Sequence, residues 1–356
     1  MKTMKKSYIF ILACLLAVAF TSCEKAIMKP DESDDPVNVF EYLWNRVDQL
    51  YTYFDIKGVD WDSVHAVYRP MVYDEMSDDS LFTVCAAMLN TLRDGHTNLI
   101  SDFDIMRSDT ISYWMSEYNC FDDNVVLQHY LTLIYHQTGS IKHNAIRNGK
   151  VAYLRYSSFS SEISDDDLKY IVNRYKDCDG IILDLRQNGG GSVMNMYTLI
   201  SMFDCHKQPL FSSQHKAGTA HNDFTAPEIC YAASSSCLDE PYTKPVAVLI
   251  DRGSYSATSH FAICTQAFDN VKTFGDFTGG GLGLPNGGML PNGWVYRFSC
   301  TRSIALDGGN YENGVPPDVR VLLDPAAVSQ GKDNIIETAA DWIQSGGGIT
   351  PPIAKR

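Results

Sequence analysis

The stretch GIILDLRQNGGGSVMNMYTLISMF, residues 180–203, decides the fold. Its first six residues are an apolar run of strand length. Three glycines then break the chain, and apolar residues resume at helical spacing through MNMYTLISMF. A buried strand that turns on glycines directly into a helix is half of a strand-helix-strand unit, so it predicts a sheet with parallel pairing. The flanking sequence repeats the alternation. VAYLRY (151–156) reads as a strand, DDDLKYIVNRY (165–175) as an acid-capped helix, KPVAVLIDR (244–252) as a strand, and KTFGDF (272–277) as another, with a helix starting at Ser256 between the last two. Residues 205–243 read as a long polar loop. The expectation is an α/β core over 146–345, with its active site at the carboxyl ends of the strands.

Upstream, the period changes. In VNVFEYLWNRVDQLYTYF (37–54), Phe40, Leu43, Trp44, Val47, Leu50, Tyr51 and Phe54 fall on one helical stripe. A turn at Lys57-Gly58 precedes a short helix around Trp61–Tyr68, which Pro70 ends, and a third helix runs from Asp79 as N-cap to Leu92. Residues 37–100 are therefore expected to form a small helical domain ending in a turn that carries His96. The intervening segment 101–145 shows no clear period.

The chain opens MKTMKKSYIFILACLLAVAFTSCEK, a basic start, a short apolar run and small residues before Cys23. That pattern predicts a signal peptide over 1–22 and a bacterial lipoprotein whose Cys23 carries the lipid, with a tether over 23–36 and a tail over 346–356. Loss of Lys2, Lys5 and Lys6 takes the formal charge from −14 to −17. Such acidity excludes nucleic acid as a natural partner. The expected place is the cell envelope, on the periplasmic or surface face of an outer membrane, touching it only through the anchor at Cys23.

Eight cysteines lie beyond Cys23, and none forms a C-x-x-C pair, so no metal and no cofactor is implied. Cys230 and Cys237, with six residues between them in the polar loop, are the pair most open to bridging, although spacing does not set connectivity.

The glycine turn lacks the lysine of a P-loop and the third glycine of a dinucleotide turn, so phosphate binding is disfavoured. A tight turn needing positive φ explains it as well as any site does. A second junction, VAVLIDRGSYSATSH (246–260), puts Ser256 between a strand and a helix N-terminus, which suits either an N-cap or a nucleophile. A nucleophile needs a base and an orienting group. His96 in LRDGHTNL and Glu312 in YENGVPPD are candidates, while His260, one turn past Ser256, competes.

Taken in order, LRDGHTNL, GIILDLRQNGGGS, VLIDRGSYSAT, FGDFTGGG and YENGVPPDV resemble the successive motifs of the tail-specific or C-terminal processing serine peptidases. That family includes tricorn-type enzymes and the modules of interphotoreceptor retinoid-binding protein, and the resemblance spans about residues 37–325. It implies a crotonase/ClpP-like β/α core and Ser256 as nucleophile. The lysine that serves as base in one branch is absent, because Thr278 is followed by Gly279, Gly280 and Gly281. The tricorn-like branch implies instead a triad of Ser256, His96 and Glu312. Its oxyanion donors would be Gly189 or Gly190 together with Ala257, with Asp184, Arg186 and Asn188 bracing the turn. Ser259 departs from the acidic residue usual there, and no PDZ-like pattern occurs. The implied partner is a polypeptide substrate. The same fold without catalysis would bind a peptide or an apolar ligand, and a crotonase-type acyl-CoA enzyme is the third reading.

Overall fold

The computed structural model describes residues 33–108, 121–203, 206–232 and 237–348. The expected signal peptide, Cys23, most of the expected tether, Cys120, Cys205 and the residues after Gly348 lie outside the described residues.

Helix α1 (Pro36–Leu50) starts where Asp35 accepts from the Asn38 N–H and Pro36 occupies the first turn, and it buries Val39, Phe40, Leu43 and Val47. Helix α2 (Trp61–Tyr68) is capped by Asp60 and followed by a tight turn over Arg69–Met71. Helix α3 (Asp78–Asn90) is capped by Ser77, not Asp79. The Ser77 hydroxyl accepts from the Ser80 N–H at 3.3 Å, which leaves Asp78 and Asp79 in the first turn beside the positive end of the helix.

Strands β1 (Asn98–Ile100) and β2 (Ile105–Arg107) form a hairpin. After a helical turn, β3 (His136–Thr138), β4 (Ile141–Ile146) and β5 (Val151–Arg155) run as a meander. Helix α4 (Asp165–Arg174), held by a Ser164/Asp167 capping box, leads to β6 (Gly180–Asp184), and the glycine turn leads to α5 (Val193–Ile200).

The expected polar loop at 205–243 instead contains β7 (Pro209–His215) and β8 (Glu228–Tyr231). Only Leu210 and Phe211 of β7 enter the core, so the polar residues around them hide its strand character. Cys230 and Cys237 are both free thiols, not a disulfide.

Next come β9 (Val246–Ile250), α6 (Ala257–Cys264), β10 (Val271–Gly275), β11 (Pro285–Met289), β12 (Val295–Ser299), β13 (Thr301–Ala305), β14 (Val319–Arg320) and α7 (Asn334–Gln344).

The main sheet has the order β14-β10-β9-β6-β5-β4-β3, parallel from β14 to β5 and antiparallel beyond. Strands β6 and β9 are adjacent and parallel, with Asp184 opposite Leu249. Every residue of both is buried, as a sheet covered on both faces requires. Their carboxyl ends therefore deliver the glycine turn and the Ser256 turn to one place.

A second sheet, β11-β12-β1-β2, packs Leu99, Tyr296 and Phe298 against α1 and α3 in one apolar core. The helical unit is thus completed by a hairpin from 285–299, far along the chain. A third sheet, β13-β7-β8, flanks the core.

Candidate active site

Ser256 is the N-cap of α6, with φ 57° and ψ −116°. A non-glycine residue there is strained by about 1–3 kcal/mol, so its surroundings must hold it. They do: its N–H donates to the Gly280 carbonyl at 3.0 Å, and its carbonyl accepts from the His260 N–H at 2.9 Å. The adjoining Ala257 N–H has no hydrogen-bond partner among the described residues and opens the positive end of the helix.

The glycine turn packs directly on this residue. A Cβ on Gly190 would lie 2.6 Å from the Tyr255 carbonyl oxygen, 2.8 Å from Ser256 Cβ and 2.9 Å from the Ala257 nitrogen, at φ +91°. Gly190 is therefore needed for close approach. Its N–H is already spent, however, donating to Asn188 Oδ1 at 3.0 Å, whereas Gly189 is exposed and its N–H has no partner among the described residues. Of the two glycine candidates, Gly189 has the available donor.

Asn188 Nδ2 donates to the Tyr156 carbonyl, and the Asn188 carbonyl accepts from the Tyr255 N–H and the Thr258 hydroxyl. Asp184 and Arg186 form a fully buried pair at 2.6 Å, closed by Asp333 on the other guanidinium nitrogen at 2.7 Å. Breaking such a pair on one side leaves a buried charge uncompensated, so it fixes the start of the turn. Asp251 adds a cross-brace by accepting from the Gln187 N–H and side-chain amide, and burial raises its pKa.

His96 lies just beyond α3, where Asp94 Oδ1 accepts from its backbone N–H at 2.8 Å. Its Nε2 stands 2.9 Å from Ser256 Oγ. With the hydroxyl donating, the neutral ring carries its proton on Nδ1, which faces Ser299 Oγ at 3.5 Å and the Gly283 carbonyl. Burial chiefly lowers the pKa of His96. Asp94 opposes the shift, and the Arg297 and Lys57 charges add to it. A neutral imidazole on a serine hydroxyl is poised to accept a proton.

Glu312 is buried, but it is not on the far imidazole nitrogen. Its Oε2 accepts from the Leu282 N–H at 2.7 Å and the Gly283 N–H at 3.2 Å, and its Oε1 lies 3.3 Å from Lys57 Nζ. It therefore stands one loop behind His96 and holds the segment whose Gly283 carbonyl faces the ring. Burial raises its pKa to about 7 and Asp94 adds to this, while Lys57 and the Leu282 N–H pull the other way.

Glycines 279–281 fill the space between the two halves. Gly281 donates to the Glu312 carbonyl and Gly279 to the Ser254 carbonyl, and a Cβ on Gly280 would meet the Glu312 carbonyl oxygen at 1.9 Å. Ser259, in place of an acid, bonds Thr278 Oγ1 at 2.9 Å and locks this loop. His260 does not reach the Ser256 hydroxyl: its Nδ1 donates to the Ser256 carbonyl at 3.1 Å, its Nε2 meets Ser303 Oγ, and burial lowers its pKa to about 4.

Sequence reasoning did not single out Lys57, Asp94 as an electrostatic neighbour, or Ser299. Lys57 and Asp94 were visible only as turn residues, and nothing in VYRFSC marks Ser299.

Comparisons with known proteins identify the family of the chain. The sequence model of peptidase family S41 matches residues 150–321, and that of the tricorn protease C1 domain matches residues 34–90. The carboxy-terminal processing protease CtpB of Bacillus subtilis is 23% identical over 208 residues, covering 53% of this chain and 40% of CtpB. The chain thus spans less than half the length of that curated relative. The solved structure of a candidate peptidase from Parabacteroides merdae is 36% identical, with a TM-score of 0.81, and the match covers 90% of this chain and 100% of that one. Mature CPAF shares the fold at 12% identity and a TM-score of 0.64, over 88% of this chain and 98% of its own. Two family models matched in order, and a relative at 36% identity matched across its whole length, establish that the chain belongs to peptidase family S41.

Proposed function

We propose that this protein is a serine endopeptidase that hydrolyses peptide bonds of exported proteins or peptides, with Ser256 as nucleophile and His96 as its base. The observation that carries the reading is the 2.9 Å approach of His96 Nε2 to Ser256 Oγ. Serine at its ordinary pKa attacks poorly, so His96 takes the hydroxyl proton as Oγ adds to the carbonyl carbon. The oxyanion then meets the free N–H groups of Ala257 and Gly189. Losing one such donor typically costs about 10²–10³ in rate. The imidazolium next gives its proton to the leaving amine, and water completes the cycle by the same route.

Glu312 completes the triad at one remove, holding Leu282 and Gly283 so that the Gly283 carbonyl and Ser299 Oγ are placed to accept a hydrogen bond from the His96 Nδ1–H. A binding protein with lapsed chemistry would have no use for a strained serine beside a neutral imidazole.

Purified protein is expected to hydrolyse unfolded protein or peptide libraries and to be labelled at Ser256 by a fluorophosphonate. No hydrolysis by folded protein, or hydrolysis surviving Ser256→Ala, overturns the reading. The proposed location is the cell envelope, with a lipid on Cys23. Cys23→Ser is expected to move the protein from the membrane fraction to the soluble one, and an unchanged distribution overturns that part.

A further inference from the structure

The sheet β11-β12-β1-β2 turns Leu99, Tyr296 and Phe298 toward the helices, so strand alternation points their neighbours outward. Register lines up two rows on that outer face. Met289, Val295, Ile100 and Ile105 stand side by side across all four strands, and each is exposed, from 37% at Ile100 to 66% at Met289. One step nearer the serine, Gly287, Arg297, Asn98 and Arg107 form the second row. Both arginines are exposed, and neither side chain makes a hydrogen bond or ion pair among the described residues.

One further step along the same face reaches Ser299 on β12 and His96 just before β1, which approach each other at 3.5 Å. Residues on one face of a strand recur about every 6.7 Å, so the arginine row lies one step from the histidine and the apolar row two. The influence of the Arg297 charge on His96 agrees with that spacing. In a chain of formal charge −14, two unpaired arginines beside the reacting groups form a local cationic spot.

The base that protonates the leaving amine stands on the leaving-group side of the scissile bond. A surface running outward from His96 therefore meets the residues that follow that bond. We propose that this face receives the leaving segment of the substrate, with Arg297 and Arg107 selecting an acidic side chain in its first residues and the apolar row taking the side chain beyond. The inference rests on the peptidase reading above. The apolar row argues for a side-chain carboxylate over a terminal one, because a chain ending at the arginines would leave Met289, Val295, Ile100 and Ile105 uncovered.

Two readouts keep this inference separable from the peptidase reading. Fluorescent peptides that differ only in a Glu-Leu or Gln-Leu pair, each with a free or an amidated C-terminus, are titrated by anisotropy into full-length Ser256→Ala protein. The same peptides are then tested for hydrolysis by unsubstituted enzyme, with kcat/KM measured and the cut mapped by mass spectrometry. The expected preference for Glu-Leu is about three- to tenfold in both readouts, as for a partly exposed ion pair, and is indifferent to amidation. In Arg297→Gln and Arg107→Gln proteins the Glu/Gln ratio falls toward one, and in Arg297→Glu a Lys-Leu peptide becomes preferred. The ratio cancels any effect of the lost charge on His96. Binding selectivity without hydrolysis would sink the peptidase reading and leave this surface standing. Equal ratios in all proteins, or a preference lost on amidation alone, overturn the inference.

Discussion

Ser256 Oγ and His96 Nε2 meet at 2.9 Å across 160 residues of sequence, from opposite sides of a boundary between two apolar cores. Ser256 hangs from β9 of the main sheet, and His96 from the loop before β1 of the second. The pair exists because the β11–β12 hairpin, which follows Ser256 in the chain, returns and pairs β12 with β1 to build its support. The contact is therefore a property of the docked halves.

Removing either partner should abolish turnover. Ser256→Ala and His96→Ala are each expected to lower kcat/KM on a fluorogenic peptide by about 10⁴-fold or more, and the double variant should be little worse than either. Stability should respond differently. Because Ser256 holds φ 57° and ψ −116°, Ser256→Gly relieves strain that Ser256→Ala retains. Its Tm should exceed that of the alanine variant, by roughly the equivalent of 1 kcal/mol.

The adjacent glycines make a sharper contrast. Gly190→Ala forces a Cβ into the Tyr255–Ala257 backbone at a positive φ, and is expected to cost about 10²-fold or more in kcat together with a lower Tm. Gly189→Ala meets nothing within 4 Å and keeps its N–H, so Tm and kcat should stay within a few-fold of the parent. Equal loss in both would mean that the close packing at Gly190 is not what sets the two positions apart.

Much of this arrangement was legible, because GIILDLRQNGGGS and VLIDRGSYSAT each place a functional turn at a strand's carboxyl end. What stayed hidden needed pairing across the chain. Ser299 reaches His96 only through the β1–β12 register, and Lys57 reaches Glu312 only when the first helices dock. Glu312 was a candidate from a turn-rich segment, but its carboxylate accepts from backbone N–H groups of a glycine loop, and such contacts leave no trace in residue type. Strand β7 was missed for a related reason: only Leu210 and Phe211 are buried in it, too few to show a period of two.

Glu312 gives stability a definite pH dependence. Its carboxyl keeps a proton up to about 7 in the folded state, against an ordinary 4.5, with burial as the main cause. Between those values the folded protein binds more protons than the unfolded chain, so this group makes stability fall as pH rises from about 4.5 to 7. Glu312→Gln removes the contribution. Thermal melts from pH 4 to 8 should show a smaller decline across that window than in the parent. An unchanged profile would mean that the carboxyl is ionised throughout.

The Lys57 ammonium ties that carboxyl to the base. It lies 3.3 Å from Glu312 Oε1 and lowers the proton affinity of both Glu312 and His96. A base must be unprotonated to act, so the lowered pKa of His96 puts the acid limb of kcat/KM below its ordinary 6.5. Replacing Lys57 with Met removes a cation that disfavours the imidazolium. The acid limb should then move to higher pH, with activity lost first in mildly acidic buffer and nearly retained on the alkaline plateau. Lys57→Arg keeps the charge and should hold the limb close to its original position. A limb that stays fixed in Lys57→Met, measured as kcat/KM from pH 5 to 9, would show that Lys57 supports the fold of this corner without tuning its chemistry.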